Sequence, residues 1–149
     1  MRSVVNLVNI IMGLKGSGKT KTLVHLVKKA LNEDHGNVVC IEKDKNLTYD
    51  IPYTARLIGT SSYNVNTRDL FRGFISGICA GNYDITHVFI DNLGKIIGDR
   101  SDEELVSFLE WLTEFGEQEN IHFLVCYTAD PATASEELKK YLLPSIDLE

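Results

Sequence analysis

Gly13-Leu-Lys-Gly-Ser-Gly-Lys-Thr20 is the stretch that decides the fold. It matches the spacing G-x-x-x-x-G-K-[ST] without a gap, and each residue type in it has a physical purpose. The glycines let the backbone turn so that successive N–H groups point inward at one anion. A helix opening at Lys19 adds the positive end of its dipole. Lys19 supplies a point charge, and the Thr20 hydroxyl can ligate a hard cation. The flanks agree with this. Asn6–Met12 reads as an apolar strand running into the loop. Lys19–Leu31 reads as a helix, with apolar residues at Leu23, Val24, Leu26, Val27 and Leu31.

The rest of the chain alternates in the same manner. Asn32–Asn37, with Gly36, reads as a turn and Val38–Ile41 as a short buried strand with Glu42 just after it. A short strand is expected at Ala55–Gly59, inside the polar segment 45–66 that is otherwise hard to read. Leu70, Phe71, Phe74, Ile75, Ile78 and Cys79 form a helical stripe stopped by Gly81-Asn82. His87–Ile90 is a strand ending at Asp91. Ser101-Asp-Glu-Glu104 is a capping box opening a helix through Phe115. Ile121–Thr128 is another strand, and Thr133-Ala-Ser-Glu136 is expected to cap a last helix reaching Leu142. Strands joined by helical crossovers imply a mainly parallel sheet covered on both faces, which explains strands that are apolar throughout. The expected fold is therefore a three-layer α/β/α sandwich, with residues 1–149 as a single domain.

Composition narrows the function. The chain has 149 residues, 44% hydrophobic and 24% charged, an ordinary globular balance. No apolar run approaches the ~18 residues of a membrane-spanning helix, so no membrane insertion is expected. The apolar start reads as a strand and not a leader, which points to the cytoplasm. A net charge of −6 disfavours nucleic acid as a partner. Cys40, Cys79 and Cys126 lack CxxC spacing and read as small buried apolar residues. His25, His35, His87 and His122 are scattered without metal-ligand spacing.

The loop resembles the Walker A motif of P-loop NTPases, and His87-Val-Phe-Ile-Asp91 resembles their Walker B strand. The resemblance covers most of the chain as a strand–helix pattern, with sharp motifs only at these short stretches. It implies a nucleoside triphosphate as ligand, ATP being the commonest, with Mg2+ as cofactor. The phosphates would be held by Gly13, Leu14, Lys15, Gly16, Ser17, Gly18, Lys19, Thr20 and Lys21, and the metal by Thr20 and Asp91. The stretch Tyr83–Leu93 is most similar to RecA-like ATPases, in which a Glu ending the second strand polarises the attacking water. That places Glu42 as candidate base, Thr128 as candidate γ-phosphate sensor, and Lys19 as the charge on the transferring group. Asn92 follows Asp91 where many relatives carry Glu. Arg56, Arg68, Arg72 and Arg100 are the candidates for an arginine finger.

Three functions follow from the resemblance. The first is a small Mg-dependent ATPase switch acting on a protein partner or a second copy of the chain, with segment 45–66 or the loop 94–100 as the moving part. The second is a nucleoside or small-molecule kinase of thymidine-kinase-like type, with an acceptor held by residues 45–66. The third is a regulatory protein that binds ATP without hydrolysing it.

Overall fold

The structure, a computed structural model, describes residues 7–33 and 36–143. Five strands, β1 (Val8–Gly13), β2 (Asn37–Glu42), β3 (Arg56–Gly59), β4 (Ile85–Ile90) and β5 (His122–Thr128), form one sheet in the order β1-β5-β4-β2-β3. Every neighbouring pair is parallel, so all carboxyl ends lie along the same rim. Among the described residues, α1 (Lys19–Glu33) connects β1 to β2, α2 (Arg68–Ala80) connects β3 to β4, α3 (Leu93–Ile97) and α4 (Asp102–Glu119) connect β4 to β5, and α5 (Glu136–Lys139) follows β5.

Period-2 geometry splits each buried strand between two cores. Val39 and Ile41 face the core built with Phe71, Ile75, Phe108 and Leu109 of α2 and α4. Val38 and Cys40 face the other, built with Leu23, Val27 and Ala30 of α1. The chain crosses from β1 to β2 along one face. It returns from β3 to β4 and from β4 to β5 along the other, as right-handed crossovers running in opposite directions require. The result is the three-layer arrangement. Beyond β1, residues 141–143 close the sheet edge, with Ile10 N donating to Tyr141 O at 2.8 Å and Leu143 N to Ile10 O at 2.9 Å.

Local signals set most boundaries. Thr67 Oγ1 accepts from Leu70 N at 3.2 Å to start α2, and Ser101 Oγ accepts from Glu104 N at 3.2 Å to start α4. Asp102, Glu103 and Glu104 occupy the first turn of α4, where the helix dipole favours negative charge. Asn120 in the left-handed region (φ 58°) ends that helix.

Three expectations need correcting. The last helix is capped by Ser135, not Thr133, and covers only Glu136–Lys139, while Pro131–Thr133 forms a separate 3-10 turn. The stretch 94–100 is not a simple loop, because Leu93–Ile97 is helical with Leu93, Ile96 and Ile97 buried. The polar segment 45–66 is anchored by Leu47, Ile51 and Ala55, which pack beside α1 on the face that this helix alone leaves open. Part of the expected turn at Asn32–Asn37 lies outside the described residues, and α1 runs on to Glu33.

Glycines in two helices test this packing. A Cβ at Gly116 would stand 2.6 Å from the carbonyl oxygen of Ile121, whereas one at Gly77 meets nothing within 4 Å. Gly116→Ala should therefore destabilise the fold by roughly 1–3 kcal/mol. Gly77→Ala should stabilise it by up to about 1 kcal/mol through helix propensity. Urea unfolding of both variants checks the pair, and equal effects would contradict the packing.

Candidate functional site

The glycines of the loop are required for two separate reasons. Gly16 and Gly18 have φ of +84° and +92°, a region in which a side chain is strained. Gly13 has an ordinary backbone, but a Cβ there would collide with the side chain of Ser17. The turn closes with Ser17 N donating to Leu14 O at 3.1 Å, and α1 begins with Thr22 N donating to Gly18 O at 3.0 Å. Lys19 is buried and folds back over the loop, its Nζ donating to Leu14 O at 3.0 Å. The ammonium is thus held at the loop's centre by a single carbonyl that an anion can replace.

Asp91 follows the last residue of β4, two strands away from β1. The parallel sheet brings it to the same rim, with Asp91 N donating to Ile41 O at 2.9 Å. The Thr20 hydroxyl stands 3.4 Å from both of its carboxylate oxygens. Asn92, held left-handed at φ 52°, points its Nδ2 back at Asp91 Oδ2, 3.4 Å away. Asp91 is 2% exposed. Burial raises its pKa, opposed in turn by the Thr20 hydroxyl, Cys126, the Lys19 charge and Asn92.

The donor set of Thr20 and Asp91 is all oxygen, as a hard cation such as Mg2+ prefers. One carboxylate and one hydroxyl leave its other positions for water and phosphate, the usual arrangement for that ion. Among the described residues no group of three or more His, Cys, Asp and Glu side chains could hold a metal by itself.

A cleft of about 810 Å³ opens over the loop, lined by Lys15, Gly16, Gly18, Lys19, Thr20 and Lys21 on one side. Asn92, Gly94, Lys95, Asp99 and Thr128 face them. Four lysines against one lining carboxylate make this a positive recess in a chain of net charge −6. Such a volume suits a small-molecule ligand. Gly13, Leu14 and Ser17 border a second recess on the loop's outer side, with Asp130 and Pro131, so the nine loop residues are shared between two clefts.

Thr128, the last residue of β5, lines the cleft. It pairs in register with Gly13, because β5 is inserted between the loop strand and the Asp91 strand. Glu42 is placed differently from a residue open to the cleft. It is 4% exposed, does not line the recess, and its Oε2 accepts from Leu47 N at 2.8 Å. Burial raises its pKa, opposed by the Leu47 amide and reinforced by the charge of Asp91. None of the four arginines lines the cleft. Arg100 Nη2 donates to Ile97 O at 2.7 Å, while Tyr127 Oη clasps its backbone, accepting from Arg100 N at 2.9 Å. Arg72 lies over Trp111 at 5.5 Å, Arg68 faces Asp69 at 3.8 Å, and Arg56 is exposed on β3.

Lys95 and Asp99 are cleft residues that no sequence pattern had marked. Their only signal was proximity to Asp91, four and eight places on. His87 and His122, unremarkable by spacing, are cross-strand partners with rings stacked at 5.0 Å. Neither the protein-family models nor the curated proteins compared with the chain give a match. No helix among the described residues is long and apolar enough to cross a membrane.

Asp91 and Glu42 are both buried acids whose folded pKa lies above its ordinary value. The native chain therefore binds more protons than the unfolded one, and stability falls as pH rises from about 4 through the raised values. Asp91→Asn removes a buried charge and should raise the melting temperature of the ligand-free protein at pH 7, with a shallower fall of stability with pH. A lower melting temperature, measured by differential scanning calorimetry, would contradict the assigned strain.

Proposed function

We propose that this chain binds a Mg-nucleoside triphosphate, with ATP as the working ligand, and hydrolyses it as a small switch protein. The observation that carries this reading is the approach of the Thr20 hydroxyl to both Asp91 oxygens at 3.4 Å, beside a loop centred on the Lys19 ammonium. That carboxylate is buried and makes no ion pair among the described residues. A cation between Thr20, Asp91 and the phosphates would neutralise it.

In this reading Lys19 exchanges Leu14 O for phosphate oxygens, and the amides of residues 14–20 surround the polyphosphate. Mg2+, when bound, draws charge from the phosphates, and Thr128 at the end of β5 contacts the terminal group. Glu42 is the candidate that orients the attacking water, since it ends the strand beside β4 and its raised pKa fits a proton acceptor. Its bond to Leu47 N favours a second reading, in which Glu42 braces the 42–47 turn and the protein binds nucleotide with little hydrolysis. The partner would then read the bound state.

Three measurements test this. Mg-ATP at 1,000 times its Kd should add about 4.1 kcal/mol of stability, a rise in melting temperature of roughly 8–16 °C for a domain of this size. Titration calorimetry and melting with every common triphosphate showing neither heat nor shift would end the reading. Lys19→Ala should weaken binding about 10- to 100-fold with the fold retained. Glu42→Gln separates the two readings. Loss of phosphate release with binding intact supports the base, whereas unchanged turnover with lowered stability supports the brace.

A further inference from the structure

A third recess, of about 430 Å³, adjoins the nucleotide cleft and shares Gly94 and Lys95 with it. It opens where the chain leaves β2 at Lys43, meets the 3-10 turn Thr60–Tyr63 and faces α3. Ser61 N donates to Lys43 O at 3.0 Å, and Ser61 Oγ donates to Asp44 Oδ1 at 2.8 Å, which fixes the turn on the strand end. Asn64 is left-handed, φ 57°, and lines the recess together with Asn66.

The charge pattern is what points to a ligand. Two lysines and no carboxylate line the recess, although the chain carries 21 acidic against 15 basic residues. Of the acids bordering it, Asp44 is engaged by Ser61, and Asp99 lies beside the lining residues Gly94 and Gly98. Lys43 and Lys95 make no ion pair with any described residue. They come from different elements, Lys43 from directly after the end of β2 and Lys95 from the exposed side of α3. Two lysines and two asparagines on the wall of one small recess suit a compact oxyanion with neighbouring hydroxyl groups.

We propose that this recess binds a small anionic molecule, a phosphomonoester or carboxylate bearing hydroxyl groups, as a second ligand beside the nucleotide. The proposal rests on the nucleotide reading only for the role of Lys95, which lines both recesses and couples them. Binding at either site then alters affinity at the other by the same factor.

Glycerol 3-phosphate and malate are the probes, titrated into protein saturated with Mg2+ and a non-hydrolysable ATP analogue and followed by backbone-amide NMR. Saturable shifts are expected at Ser61, Asn64, Asn66 and Lys95 with at least one probe. Lys43→Ala should weaken that probe about ten-fold while leaving nucleotide affinity unchanged, and Lys95→Ala should change both affinities. The proposal is overturned if neither probe moves these amides at millimolar concentration, or if affinity is the same in the Lys43→Ala, Lys95→Ala double variant. Should the analogue itself fail to raise the melting temperature, the nucleotide reading fails separately. The probes are then titrated into Lys19→Ala protein, in which the phosphate loop is disabled, and the same shifts decide the second site alone.

Discussion

A carboxylate buried against a hydroxyl constrains the whole rim of this sheet. Asp91 sits 2% exposed with Thr20 at 3.4 Å, and among the described residues no cationic side chain forms an ion pair with it. Taking an ion out of water without a partner costs several kcal/mol. The surrounding structure offsets part of that cost through oriented dipoles, namely the Thr20 hydroxyl and the Asn92 amide, and through the charge of Lys19 beyond them. The left-handed backbone of Asn92, itself uncommon outside glycine, is the turn that aims this amide.

The strand order positions the other groups at this rim. Placing β5 between β1 and β4 sets Thr128 between the loop and the acid and brings the thiol of Cys126 up against the start of α1, where it approaches Lys19 O at 3.8 Å. Burial raises the Cys126 pKa, with the charge of Asp91 adding to the rise, so the thiol stays neutral. A neutral floor under two opposite charges preserves their field in the cleft above, because low polarity strengthens electrostatic interactions.

Two acids, Asp91 and Glu42, end adjacent strands and repel each other. Their separate environments divide their roles. Asp91 faces a lysine and a hydroxyl, whereas Glu42 is tied to the amide of Leu47. That tie anchors the segment whose Leu47, Ile51 and Ala55 complete the core beside α1. Chemistry at the rim and packing beneath it are therefore linked through one side chain, and a rearrangement at Glu42 would be felt in both.

The glycine turn at 13–18, its strand and helix, the Asp91 strand and the capped α4 were legible in the sequence. Each depends on interactions within a few residues, namely glycine conformations, an i to i+3 cap, and apolar periodicity. The parallel, doubly covered sheet followed from strands that are apolar on both faces. Position in space was not legible, because it depends on contacts between residues far apart in the chain. Only the tertiary structure decided that β5 lies beside β1, that α3 exists, and that His87 meets His122. It also decided that Glu42 is held by Leu47 and that Lys43 and Lys95 converge on one recess. A short helix such as α3 forms because Leu93, Ile96 and Ile97 are buried by neighbours from elsewhere, and a single turn of i, i+3, i+4 spacing is too short to mark a helix on its own.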